Sequence, residues 1–296
     1  MANTLNLGNG NWATKEDSLL AYNSENGNFK PLPFDFTRAS SATVVNKAGL
    51  IETVGSGEPR IDFSNDAKGA LLLEPTRSNL ITYSNDFSQS TSYQDKNSTI
   101  LLNQSTSPNG SNNASSLIPS NTNTFHAIAI NKPTVIGQNP MFSIFIKPNG
   151  YNFVQLVGGL GYNTTSDYWI NFDIENKTMV SKGSAFNGNF DIIKLNNGYV
   201  RISAEIEATS NNSGGQILLL PLFSNIQSRL PSHIGNGSSV YIYGAQLEQG
   251  SYATSYIPTQ GSAVTRSADS SSQTSPTGII GQTEGSVYVD FIRKPQ

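Results

Sequence analysis

Across residues 124–249 apolar and polar positions alternate with a period of two. Phe142, Ile144 and Ile146 alternate with Ser143, Phe145 and Lys147, and Val200, Ile202, Ala204 and Ile206 alternate with Arg201, Ser203, Glu205 and Glu207. Successive side chains of an extended chain point to opposite faces, so such runs predict strands with one buried face. The same reading predicts strands over 125–130, 153–157, 168–174, 190–195, 216–222 and 240–247. About eight strands separated by turns, with no helical periodicity, predict an all-β fold, an antiparallel β-sandwich arranged as a jelly roll.

Upstream the pattern is more broken. Between Phe34 and Phe87 the runs Ala42–Val45, Leu50–Val54, Arg60–Phe63 and Ala70–Glu74 read as short strands, with turns at Gly49 and Gly55–Gly57 and with Pro59 and Pro75 interrupting ladders. From Ser88 to Asn123 the chain is rich in Ser, Asn and Thr, with Tyr93, Leu101, Leu117 and Ile118 as sparse apolar anchors, and predicts long loops over the sandwich. Residues 13–22 predict a short helix, with Thr14 as cap, Asp17 three positions later, and Leu19, Leu20 and Tyr22 as one apolar patch. Glycines before this segment and Pro31 and Pro33 after it set it apart, either as an anchor that docks on another protein or as an extension packed on its own domain. Residues 262–276 read as a linker, and 285–291 begin a further strand of alternating character. The expected organisation is therefore an N-terminal anchoring segment over 1–34, a β-rich module over 35–269 with its sandwich core at about 124–249, and a linker with one strand over 270–296.

Composition narrows the function. Cysteine is absent, which excludes disulfides, thiolate nucleophiles and cysteine metal sites. His126 and His233 are the only histidines, too few for a histidine-rich zinc site. Charged residues make up 13% of the chain, about half the usual share, and the net charge is −3, which argues against nucleic acid as a partner. Fourteen Phe and twelve Tyr argue against disorder. Neither a signal-peptide pattern nor an apolar run of membrane-spanning length occurs, so the expectation is a protein made in a cytoplasm, released by a route other than secretion, and not inserted in a membrane.

Candidate chemistry is sparse. Glycoside cleavage needs two carboxylates across a cleft, and the candidates Glu205 and Glu207 fall on the polar face of a predicted strand, so no catalytic residue is assigned. Asn163, Asp167, Asn171 and Asp173 carry oxygen ligands, yet no Asp-rich loop with its glycine is present; no cofactor is expected, and a structural calcium has no motif behind it. Sugar binding needs an aromatic ring on which pyranose C–H groups pack, with amides to fix the hydroxyls. Tyr151, Tyr162 and Tyr168, with Asn163 and Asp167, form the candidate platform, and Trp169, on the opposite face from Tyr168, is expected in the core. Trp12, Leu19, Leu20 and Tyr22 are the candidate docking residues of the N-terminal segment. Arg38, Arg60 and Arg77 each follow a turn or strand, and with Glu74 they predict buried Arg–carboxylate pairing that pins turns.

Two blocks carry a family likeness. The first runs through Phe36-Thr-Arg-Ala-Ser-Ser-Ala-Thr-Val-Val, Glu58-Pro-Arg-Ile-Asp-Phe, Gly69-Ala-Leu-Leu-Leu-Glu-Pro-Thr-Arg and Tyr83-Ser-Asn-Asp-Phe; the second is Gly244-Ala-Gln-Leu-Glu-Gln-Gly-Ser-Tyr-Ala-Thr-Ser-Tyr-Ile-Pro-Thr with Ser262-Ala-Val-Thr-Arg-Ser-Ala-Asp. Together they resemble a module of fibre, tail and head-decoration proteins of tailed bacteriophages, over roughly Phe34 to Asp269. The opening Leu5-Asn-Leu-Gly-Asn-Gly-Asn-Trp-Ala-Thr-Lys is similar to the start of head-fibre proteins of phages infecting Bacteroidetes. The resemblance implies a virion structural protein, a fibre or fibre-base subunit, in which an N-terminal part attaches to capsid or tail proteins. A carbohydrate-binding-module-like sandwich would face host-surface glycans, in a homo-oligomer that is a trimer or, alternatively, a dimer. It brings no catalytic motif. The rival expectations are a bacterial surface lectin and a tail-spike depolymerase.

Overall fold

A computed structural model describes residues 5–6, 8, 10–15, 18–23, 27–225, 227–272, 288–289 and 291. The chain divides into two compact units, Met1–Arg77 with Arg266–Gln296, and Ser78–Thr265; the sequence reading places its boundaries after residues 34 and 269 instead. Among the described residues no helix is long and apolar enough to cross a membrane. The strand expected over 285–291 lies largely outside the described residues.

The first unit begins with β1 (Leu5–Asn6), β2 (Ala13–Lys15), β3 (Ser18–Asn23) and β4 (Asn28–Thr37), continues with β5 (Ala42–Val45), β6 (Ile51–Val54), β7 (Ile61–Asp62) and β8 (Ala70–Leu71). The helix expected over 13–22 is a strand pair instead, with Ala13 opposite Leu20 and Lys15 opposite Ser18. Leu19 and Ala21 are buried while Leu20 and Tyr22 are half-buried, a period of two, and β3 gains a second ladder from β4. An isolated helix of that length would be marginal, and the sheet supplies the stronger pairing. Hairpins β5–β6 and β7–β8 follow the predicted runs.

The interior of this unit is ionic as well as apolar. Arg60 Nη1 lies 2.9 Å from Glu74 Oε2, Arg38 Nη1 lies 3.0 Å from Asp269 Oδ1, and Arg60 Nη2 also bonds Asp269 Oδ2. Arg266 Nη1 sits 3.4 Å from Glu74 and 3.6 Å from Asp269. All five side chains are buried, and Arg38 also donates to the carbonyls of Ser40, Glu58 and Gly55. The expected Arg–carboxylate pairing is present for Arg38 and Arg60, with Asp269 as a partner far along the chain. Arg77 donates to the carbonyl of its neighbour Thr76.

From β9 (Arg77–Asn79) the chain enters the second unit. Its strands are β10 (Tyr93–Lys96), β11 (Ser98–Ser105), β12 (Ala114–Pro119), β13 (Ala127–Asn131), β14 (Pro140–Asn149) and β15 (Phe153–Gly158), then β16 (Trp169–Asp173), β17 (Thr178–Lys182), β18 (Phe190–Lys194), β19 (Val200–Glu205), β20 (Gln216–Leu222) and β21 (Ser239–Gln249). After β22 (Val264–Arg266), β23 (Ser270–Ser272) pairs with β4 in the first unit.

Two six-stranded antiparallel sheets form, with orders β10-β13-β20-β15-β16-β17 and β11-β12-β21-β14-β19-β18. Counting β12 to β16 and β19 to β21 as eight successive strands, one sheet runs first-eighth-third-sixth and the other second-seventh-fourth-fifth. That alternation between sheets is the jelly roll. The edges are extended by β10 and β11 on one side and by β17 and β18 on the other. The stretch 88–123, expected as loops, carries β10, β11 and β12. Their Ser- and Asn-rich sequences give little period-two contrast, and β11 is largely exposed at its sheet edge.

The core between the sheets holds the alternating set, including Phe142, Ile144, Ile146, Val200, Ile202, Ala204, Ile217, Leu219, Ile242 and Leu247. The outer faces are covered too. Across one sheet a segment over 225–230, apart from residue 226, is held by a row of polar side chains on adjacent strands. Gln155 Nε2 donates to Ser228 O at 3.0 Å, Asn171 Nδ2 to Gln227 O at 2.8 Å, and Ser181 Oγ to Asn225 O at 2.9 Å, while Gln155 Oε1 accepts from Leu230 N at 2.8 Å. Around this row Phe153, Trp169, Leu218, Leu220 and Leu230 form a second apolar cluster. The other sheet is covered by residues around Thr254: Arg201 reaches Thr254 O at 2.5 Å and Ser143 Oγ at 2.8 Å, and stacks over Phe145.

Candidate functional site

The sandwich unit carries a cleft of about 600 Å³ formed by segments 83–88, 102–103, 113–115 and 258–260. One wall is set where the two recognised sequence blocks meet. Buried Asn79 donates to Ile257 O at 2.9 Å and accepts from Leu247 N at 3.1 Å, and Leu80 N donates to Leu247 O at 2.8 Å. Further along, Ser84 N donates to Thr259 Oγ1 at 2.9 Å, Thr259 N donates back to Ser84 Oγ at 2.9 Å, and Ser84 Oγ shares a hydrogen bond with the Tyr256 hydroxyl at 2.6 Å. The opposite wall comes from β11 and β12. Its ladder is irregular between Leu101 and Ser105, and Asn103 takes a φ of 57° in the irregular stretch. Such bulges re-aim side chains at sheet edges.

Most of the lining residues are polar, and nearly all are uncharged. Asn85, Asn103, Asn113 and Gln260 supply amides, Ser88, Ser115 and Thr259 hydroxyls, and Tyr83, Leu102 and Pro258 apolar surface. Tyr83 is half-buried, and its carbonyl is fixed by the Tyr93 hydroxyl at 2.6 Å. Asp86 carries the only charge among the described lining residues. Its Oδ1 accepts from the Ser88 hydroxyl at 2.6 Å and the Ser88 N–H at 3.1 Å, and its Oδ2 from Gln89 Nε2 at 2.6 Å. The Ser88 hydroxyl above all, then the Gln89 amide, hold this carboxyl below its ordinary range, against a pull in the other direction from burial. Asn85 Oδ1 accepts the N–H of Gly244 and the hydroxyl of Tyr256, both at 2.9 Å.

Ser115 marks the interior of the cleft. It shares a face of β12 with the core residue Leu117, two positions on, and only 1% of its surface is exposed. Its hydroxyl, like Asn113 Oδ1, is buried without a hydrogen-bond partner. A buried polar atom left unpaired costs about 1–3 kcal/mol, and a small shift of the cleft wall would be needed to offer these two atoms to a ligand or water.

The residues proposed from sequence fall elsewhere. Tyr151, Tyr162 and Tyr168 are 1–2% exposed and belong to the core between the sheets. Burial raises the Tyr162 hydroxyl well above its ordinary value and takes that of Tyr168 to about 12. No open ring face remains for a sugar to stack on, so the three tyrosines do not form the expected platform. Tyr168 is the core residue and Trp169 the half-buried one, the reverse of the expectation, because Trp169 faces the outer cluster while the Tyr168 hydroxyl accepts from Glu207 N at 2.7 Å. Asn163 is tied to Glu207 and to its own turn at Thr165, and Asp167 accepts from Ser184. Asp173 accepts from Asn176, and Asn171 belongs to the row described above. Among the described residues no group of three or more His, Asp or Glu is placed to hold a metal ion. In the first unit, Trp12 donates to Lys68 O at 2.7 Å, Leu19 is buried, and half-buried Leu20 and Tyr22 stay on β3, Tyr22 packing edge-on against Phe29.

Sequence reasoning did not place the cleft residues, because 102–103 and 113–115 sit in the stretch read as loops and 83–87 carried only the family likeness. The rings of His126 and His233, 107 positions apart in sequence, meet edge to face at 4.6 Å beside Tyr151 and Phe223.

No family model matches the chain, and no curated protein matches it. Among solved structures, a carbohydrate-binding module studied for specific mannan recognition is similar to 60% of this chain and 98% of its own, at 12% identity and a TM-score of 0.30.

Proposed function

We propose that this protein is a non-catalytic structural subunit of a virion fibre or fibre base whose sandwich binds a saccharide in the cleft at Tyr83–Ser88. The observation that carries the binding half is the buried, unpartnered Ser115 hydroxyl in a cleft of amides and hydroxyls beside a half-buried tyrosine. Saccharide sites combine convergent amides and hydroxyls with an apolar or aromatic surface in this way. The virion half, with homo-oligomeric assembly as a trimer or alternatively a dimer, attachment through the N-terminal segment and location on the particle, rests on the sequence resemblance of the two blocks. A bacterial surface lectin would use the same cleft. A depolymerase is disfavoured because Asp86 is the one carboxylate among the described lining residues, and glycoside cleavage requires two.

Two measurements separate these readings. Binding to an array of bacterial surface glycans tests the cleft, and antibody labelling of purified particles tests the virion. Labelled particles together with glycan binding support the whole proposal. Glycan binding with unlabelled particles leaves the lectin, and glycan release by the purified protein would restore the depolymerase.

A further inference from the structure

We propose that the cleft selects an uncharged, polyhydroxylated ligand, a neutral saccharide, and disfavours sugar acids and phosphorylated glycans, with Asp86 as the residue that discriminates. This inference rests on the proposed function, that the cleft holds a saccharide, and gives that site its ligand class.

Asp86 Oδ1 already accepts two hydrogen bonds from Ser88, while Oδ2 accepts one from Gln89 and retains a lone pair. That remaining position needs a donor. Asn85 is oriented without ambiguity, since the backbone N–H of Gly244 requires the amide oxygen as its acceptor. What Asn85 offers a ligand is therefore N–H, and its two N–H groups leave a donor even where the Tyr243 hydroxyl, its other partner, takes one. Ser115 can donate or accept, and has no partner.

A site with one demanding acceptor, one fixed donor and one ambivalent hydroxyl suits a group that donates and accepts at once. A sugar hydroxyl does both. A carboxylate or phosphate only accepts, and beside Asp86 it would meet a like charge with no Lys or Arg among the described lining residues to offset it. Beside a carboxylate this open to solvent, a like charge about 4 Å away weakens binding by roughly fivefold.

Isothermal titration of the full chain with neutral gluco-, manno- and galacto-configured oligosaccharides, and with uronate- and sialate-containing ones of equal length, tests this. Tighter binding of the neutral set, by about that factor, is expected. Ser115→Ala should weaken it by about 3- to 10-fold, the effect of one hydrogen bond. Asp86→Asn should weaken neutral binding further and close the gap to the acidic set, with thermal melting confirming that both variants are folded. If the acidic set binds the unaltered protein as tightly as the neutral set, the ligand class is wrong while the saccharide reading stands. Neutral binding untouched by either variant also overturns the inference, since the ligand then sits elsewhere. If no saccharide of either set binds, the proposed function fails and the inference with it. The comparison of the two sets on the unaltered protein decides the ligand class even if a variant does not fold.

Discussion

Asn85 Oδ1 accepts the backbone N–H of Gly244 at 2.9 Å, across 159 positions of sequence. Gly244 adopts a φ of +64° on β21, opposite the β14 segment where the register shifts between Ser143 and Phe145. A glycine in the left-handed region at such a shift is a G1-type bulge. It turns one N–H towards the cleft residue, so a strand that does not line the cleft sets the orientation of an amide that does.

Gly244→Ala is therefore expected to act on both stability and binding. A Cβ there would lie 2.9 Å from the Phe145 ring and 3.2 Å from that of Tyr256. With the left-handed backbone cost added, the loss should be about 1–3 kcal/mol in chemical denaturation. Saccharide affinity should fall in parallel although residue 244 does not line the cleft; unchanged affinity would separate Asn85 from the bulge.

The buried pair Arg60–Glu74 gives a second expectation, in the first unit. Arg38, Arg60 and Arg266 pair with Glu74 and Asp269 there, so Glu74→Gln removes one of the negative charges that face them. Breaking a buried pair on one side costs about 3–5 kcal/mol. A double variant with Arg60→Met should lose less than the sum of the single losses, because the first change already uncouples the pair. Urea titration of the three variants measures the coupling.

His233 sets a pH dependence. Burial first, and then the charge of His126, depress its imidazole from 6.5 to about 4. Between those values the unfolded chain takes up a proton that the folded chain refuses, so stability is full above pH 6.5 and falls as pH drops towards 4. His233→Phe keeps an aromatic ring beside Tyr151 and Phe223 and removes the titration. Its unfolding midpoint should decline less between pH 7 and pH 4.5 than that of the unaltered protein, with carboxylate titration common to both.

Asn171 is the hinge of the polar row on the outer face of one sheet. It accepts from Gln155 at 2.8 Å and donates to Ser181 Oγ at 3.1 Å and Gln227 O at 2.8 Å. Asn171→Ala should cost about 1–3 kcal/mol, the effect of leaving buried partners unpaired. Amide hydrogen exchange should rise over residues 227–230 and leave the strands of the other sheet protected. Uniform exchange across both sheets would show that the segment is not held locally by this row.

Much of the sandwich was legible because its strands alternate apolar residues facing the other sheet with mostly polar ones on the outer face, as in residues 142–146 and 200–206, whereas the covering of those outer faces was not legible. The same signal misled at residues 13–22, where three apolar residues close in sequence read as a helical patch although Leu19 and Ala21 are buried on one side of a strand. Edge strands such as β11 were hidden, since a strand exposed along most of its length carries no apolar period. The site was the least legible part. An aromatic cluster in sequence is more often core, as Tyr162 and Tyr168 turned out to be, while the cleft is assembled from short polar segments up to 177 positions apart, Tyr83 to Gln260. Nothing local in Ser115 distinguishes it from the other serines of its stretch; only its burial beside open space does.

The most direct test of the account is amide chemical-shift mapping of the isotopically labelled chain titrated with a neutral oligosaccharide. The account predicts shifts concentrated at residues 83–88, 102–103, 113–115 and 258–260, with Ser115 and Asn85 among the largest. Saturable shifts confined to other surfaces, or no saturable shift with any saccharide tried, would contradict it.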